Sequence, residues 1–228
     1  MPPESLRLTL QIEDDGQVSA LFCEPGGSRA CLVLGHGAGA GMEHPSMSSL
    51  AQDLAARGIA TLRYQFPYME RRARRPDPPP VCHATVRAAV AEAARRAPQL
   101  PLFAGGRSFG GRMTSQAQAL AALPGVLGLV FFAFPLHPAG KPSDDRARHL
   151  FEIELPMLFL QGTRDDLAEL PLLQPLVVQL GAGATLTLLE EADHSWHVPA
   201  RTGRKDADVR AQALDAVSAW IDARLVRR

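Results

Sequence analysis

Gly105-Gly106-Arg107-Ser108-Phe109-Gly110-Gly111 follows the apolar run Leu-Pro-Leu-Phe-Ala at 100–104, so four of seven residues around one serine have no side chain. The run before it reads as a buried strand. The segment from Ser108 to Leu123, stopped by Pro124, reads as a helix. Residues 106–110 therefore spell G-x-S-x-G at a strand-to-helix turn, a context that sets this stretch apart from an ordinary flexible turn with the same letters. Such a turn strains the serine backbone and lifts the hydroxyl above the sheet. Residues two before and two after the serine then pass close to neighbouring backbone, where a Cβ would clash, and Gly106 and Gly110 meet that need. Gly105 and Gly111 ease the turn and the helix packing.

Outward from this stretch, short apolar runs alternate with amphipathic ones. Leu6–Ile12 and Gln17–Cys23 flank Glu-Asp-Asp-Gly at 13–16 and are expected to form a hairpin. The runs at 30–35, 59–64, 100–105, 126–134, 156–162 and 184–190 are expected to be buried parallel strands. Helical patterns lie between them, at 47–58, 82–97, 108–123 and 167–181, and a last one covers 206–226. Alternating strands and helices require crossovers on both faces of one sheet. The expectation is an α/β, three-layer α/β/α sandwich with a mostly parallel eight-stranded sheet and an N-terminal antiparallel hairpin, in one domain covering 1–228. Between strand 6, ending near Phe134, and strand 7, starting near Met157, the chain is too short for a large lid. A proline-broken loop with one short helix is expected there.

The composition sets limits on function. Lys plus Arg and Asp plus Glu both total 24, so no bulk field draws nucleic acid or an anionic membrane. No apolar run reaches the roughly 18 residues that span a bilayer. The opening Met-Pro-Pro-Glu-Ser lacks a signal-peptide pattern, so a cytoplasmic location is expected. Cys23, Cys31 and Cys82 show no metal-ligand spacing, so no metal or cofactor is expected. The glycines at 35–41 miss G-x-G-x-x-G because Met42 or Ala40 stands where glycine is required, and Gly140-Lys141-Pro142 is no P-loop. The sequence has no signal for an oligomeric state.

A serine hydroxyl needs a base, and the base needs an orienting acid. Downstream, one strand ends in Gly162-Thr-Arg-Asp165-Asp166, and the next is followed by Asp193, His194 and His197. These groups leave the carboxyl ends of strands, the rim where open α/β sheets place ligands. The order Ser, Asp, His, together with the stretches at 35–45, 63–70, 105–111, 134–142, 158–166 and 192–198, resembles the α/β-hydrolase superfamily, in particular its small hydrolases related to dienelactone hydrolase.

That resemblance implies Ser108 as nucleophile, Asp165 as acid and His194 as base, with Asp166 and His197 as their neighbouring rivals and Asp193 as a turn residue. It places serine where dienelactone hydrolase has cysteine. It implies an oxyanion hole from the N–H of Phe109 and one from the loop after strand 3, at Ala38 or the adjacent Gly39. Gly39, His137 and Tyr68 are expected near the substrate, and His36 is expected to brace the loop. The implied activity is hydrolysis of a small ester-type acyl substrate through an acyl-enzyme. An acyltransferase with the same triad and a non-catalytic interaction module are the alternatives that the letters leave open. Arg71, Arg72, Arg74 and Arg75 form either a solvated loop or an anion-attracting one. Arg107 and Lys141 have no role that the sequence alone explains.

Overall fold

Within β3 (Ala30–Gly35), Cys31 and Val33 enter one hydrophobic core while Ala30, Leu32 and Leu34 enter another. The two-residue period of a strand thus feeds both faces of a sheet, and an uninterrupted apolar run results. The computed structural model of the protein describes residues 4–12 and 16–226. The Glu-Asp-Asp of the expected hairpin turn lies outside the described residues. Its flanking strands β1 (Leu6–Ile12) and β2 (Gly16–Cys23) pair antiparallel with Ile12 opposite Gly16.

The remaining strands are β4 (Ile59–Tyr64), β5 (Leu102–Arg107), β6 (Val126–Phe132), β7 (Met157–Gly162) and β8 (Ala184–Leu189). The sheet order is β1-β2-β4-β3-β5-β6-β7-β8; β1, β2 and β4 join antiparallel, and β4, β3, β5, β6, β7 and β8 run parallel. This is the α/β-hydrolase architecture expected from the sequence.

Helices α1 (Pro45–Ala55) and α6 (Asp206–Leu225) cover one face. Met47, Leu50 and Leu54 of α1 meet Val209, Ala213, Val217 and Trp220 of α6, each set spaced three or four residues apart. Helices α3 (Pro79–Arg96), α4 (Phe109–Leu120) and α5 (Leu170–Leu180) cover the other, through residues such as Val86, Val90, Met113 and Leu173. The sequence pattern missed the four-residue helix α2 (Pro67–Glu70), which begins at a proline and is too short to show a period. Strand β6 stops at Phe132 rather than Phe134 because Ala133 turns into positive φ. The β6–β7 connection holds one short 3-10 segment, Asp145–Glu152, and no larger insertion. No helix among the described residues is long and apolar enough to cross a membrane.

Candidate active site

Ser108 sits between β5 and α4 with φ 49° and ψ −111°, a conformation that costs a non-glycine residue on the order of 1–3 kcal/mol. Two anchors hold it there. Its own N–H donates to the Phe132 carbonyl at 2.9 Å, and its carbonyl accepts the Arg112 N–H at 3.1 Å. A Cβ on Gly106 would stand 2.6 Å from the Gly35 oxygen, and one on Gly110 would stand 2.4 Å from the Gly35 carbonyl. The two glycines let the turn seat directly on the end of β3, as their spacing around the serine implies.

The hydroxyl of Ser108 lies 2.8 Å from His194 Nε2, and His194 Nδ1 lies 2.7 Å from Asp165 Oδ2. The Asp165 carboxylate is an acceptor, so Nδ1 carries the imidazole proton and Nε2 is left to accept from the serine. Asp165 is 3% exposed and its oxygens are occupied: Gln161 Nε2 donates to Oδ2 at 2.5 Å and the Leu167 N–H donates to Oδ1 at 2.9 Å. Asp166 is exposed. His197 turns away to Asp206, 3.0 Å from its Oδ2, and Asp193 accepts the N–H groups of Ser195 and His197 in a turn. The loops carrying Asp165 and His194 meet at Gly162, where a Cβ would stand 2.2 Å from the Ala192 oxygen.

Arg107, unexplained in the sequence, ties the serine turn to the histidine loop. Its Nη2 donates to the His194 carbonyl at 2.9 Å, and its guanidinium lies 5.0 Å from the centre of the Trp196 ring. Burial lowers its pKa from the ordinary value, and Asp165 and Asp193 act against that. Gln161 is the other residue not picked out from the sequence. It is fully buried, and besides holding Asp165 it accepts the Phe134 N–H at 2.9 Å. A glutamine inside the apolar run of β7 was its one visible signal.

On the opposite side of the serine, the loop after β3 is braced from behind. His36 Nε2 accepts the Phe66 N–H at 3.0 Å and Nδ1 donates to the Gly37 carbonyl at 2.8 Å. Burial pushes its pKa down to about 4, so the ring is neutral at pH 7. Tyr68 donates its hydroxyl to the Ala38 carbonyl at 2.8 Å. Among the described residues the Ala38 N–H has no backbone acceptor. The Phe109 N–H opens α4, where no carbonyl one turn earlier is available to it.

A cavity of about 420 Å³ opens at the hydroxyl, with Ala38, Ser108, Phe109, Met113, Pro135 and Leu167 among its walls. A second, of about 350 Å³, lies beyond Ala38 and is lined by Gly39, Met69, Arg72, Ala73 and Arg74. Two expected substrate contacts are placed differently. Tyr68 is fully buried beneath the loop, because its ring packs edge-on to Phe109, 6.1 Å between centres. His137 is also fully buried and lines neither cavity; its N–H donates to the Leu167 carbonyl at 3.2 Å and its Nδ1 lies 3.0 Å from the Pro138 oxygen. Both hold loops that border the site. Arg112 and Arg146 do reach the first cavity. The spacing of Arg112, one helical turn after Ser108, was a signal for it.

Residues 28–222 match the family of the alpha/beta hydrolase domain, and the chain belongs to that family. Solved structures share its fold at low identity. A dienelactone hydrolase from Anabaena variabilis is 18% identical, with 100% of this chain and 99% of that chain covered and a TM-score of 0.73. An α/β serine hydrolase without a lid from Xanthomonas campestris is 22% identical over 96% of both chains, with a TM-score of 0.71. A cold-adapted esterase from an Arctic intertidal metagenomic library is 17% identical over 96% and 94%, with a TM-score of 0.67.

Proposed function

We propose that this protein is a serine hydrolase that cleaves small acyl esters with Ser108 as nucleophile, His194 as base and Asp165 as its orienting acid. The observation that carries the reading is the unbroken hydrogen-bond path from the Ser108 hydroxyl through the His194 ring to a buried, fully engaged carboxylate. Likeness to an esterase and a dienelactone hydrolase agrees with it.

In this mechanism His194 Nε2 takes the hydroxyl proton as Ser108 Oγ attacks the ester carbonyl. Asp165 keeps the ring in the required tautomer and stabilises the imidazolium. The N–H groups of Phe109 and Ala38 receive the oxyanion, each worth about 10²- to 10³-fold in rate. The imidazolium then protonates the leaving alcohol, and the bond from carbonyl carbon to alkoxy oxygen breaks. Water, deprotonated by the same nitrogen, attacks the acyl-serine and releases the acid and free Ser108. Tyr68 and His36 keep the Ala38 segment in place, and the whole chain acts as one domain on a small molecule.

Ser108→Ala tests the reading. Turnover of p-nitrophenyl butyrate is expected to fall by at least about 10³-fold, and a fluorophosphonate probe is expected to add once to the wild type and not to the variant. Wild-type rates in Ser108→Ala would overturn it.

A further inference from the structure

Arg112 and Arg146 line the cavity that opens at Ser108, and neither has a carboxylate partner among the described residues. The contrast lies within one short segment, since Arg148, two residues from Arg146, pairs with Asp145 at 2.5 Å. Arg112 follows Ser108 by one helical turn, and its guanidinium lies 5.6 Å from the centre of the Phe109 ring. Its Nε is buried without a hydrogen-bond partner. Burial first, and then the charge of Arg146, lower the pKa of Arg112. Two like charges held together at a partly desolvated wall are unfavourable, and an anion between them relieves both costs. The cavity carboxylate Asp77 pairs with Arg71 instead, its Oδ1 2.5 Å from Arg71 Nη2, and its Oδ2 is buried without a hydrogen-bond partner.

We infer that the cavity takes an acyl group ending in a carboxylate, which Arg112 and Arg146 grip while its other end presents the ester carbonyl to Ser108. This rests on the hydrolase reading above and names its substrate class: ω-carboxyacyl esters, a few methylenes long. A planar guanidinium matches a carboxylate with two parallel N–H···O bonds. Met113 and Pro135 supply apolar wall along the intervening chain. The second cavity, across Ala38, is left for the alcohol.

The test compares p-nitrophenyl hydrogen adipate with p-nitrophenyl hexanoate, equal in length and different in terminal charge. The ratio of their kcat/KM values is measured in the wild type, Arg112→Gln, Arg146→Gln and the control Arg148→Gln. The ratio is expected to drop about tenfold in each cavity variant, the effect of losing one charge-assisted hydrogen bond, and to hold in the control. Should a cavity variant fail to fold, inhibition of the wild type replaces it: adipate is expected to compete with hexanoate turnover, and neutral adipamide is not. Equal ratios in all four proteins, or equal inhibition by the two additives, would overturn the inference while hexanoate turnover and Ser108 labelling leave the hydrolase reading standing. No turnover of either ester and no adduct on Ser108 would overturn both.

Discussion

Replacing Gly110 by alanine tests whether the serine turn is seated on the end of β3. The added Cβ would lie 2.4 Å from both the carbonyl carbon and the oxygen of Gly35, and 2.8 Å from the His36 oxygen. Ordinary Cβ contacts begin near 3.4 Å, so about 1 Å must be found by moving α4 away from backbone that no rotamer change can clear. Overpacking of this kind costs about 1–3 kcal/mol. The clash is with backbone, so the upper part of that range applies, and the better helix propensity of alanine returns up to about 1 kcal/mol, leaving a net loss of about 1–2 kcal/mol. For a chain of this size the net loss lowers Tm by roughly 2–8 °C. Movement on this scale also separates Ser108 and Phe109 from the Ala38 loop, so kcat/KM is expected to fall by about 10²-fold. Thermal unfolding and p-nitrophenyl butyrate hydrolysis measure the two effects. Gly183→Ala is the control, because nothing lies within 4 Å of its Cβ position. Unchanged Tm and activity in Gly110→Ala would refute the claimed contact between the turn and β3.

Arg107→Met removes the bond that ties the serine turn to the His194 carbonyl, so kcat is expected to fall about tenfold with little change in KM. The fluorophosphonate labelling rate should slow in parallel, with partial recovery in Arg107→Lys; a merely structural role would lower Tm and leave the labelling rate alone. His36 has a folded pKa depressed to about 4 against about 6.5 unfolded, so between those values the unfolded chain binds the extra proton. Stability therefore rises with pH across that window and is lost on acidification through it, by about 3 kcal/mol at most from this group. Urea midpoints from pH 7.5 to 4 are expected to show the loss, less steeply in His36→Asn. His149, also lowered to about 4 by burial and by Arg112 and His83, adds in the same direction.

The strands were legible because a buried parallel strand is an uninterrupted apolar run, and β3, β4 and β7 show that run almost without a break. The serine turn was legible because its chemistry is local: backbone too crowded for side chains leaves glycines in the letters at 106 and 110. Other features have no local signature. Tyr68 and His137 are polar residues beside the expected site, and in sequence a ring that braces a loop from below looks the same as one that touches a substrate. Arg107 acts across 87 residues, on a carbonyl whose position depends on how β5 and β8 are ordered, whereas Gln161, four residues from Asp165, left a local mark as the one amide in the apolar run of β7.

The letters by themselves therefore determined the alternation of strand and helix, the turn that presents Ser108, and the short list of acids and bases able to serve it. The resemblance already favours His194 over His197 and Asp165 over Asp166; the folded chain adds the physical reason, since His194 lies within hydrogen-bond reach of both Asp165 and Ser108 while His197 turns to Asp206. Those choices depend on which side chains are desolvated and within hydrogen-bond reach, and groups 29 and 86 residues apart acquire both properties only when the parallel sheet brings its strand ends to one rim.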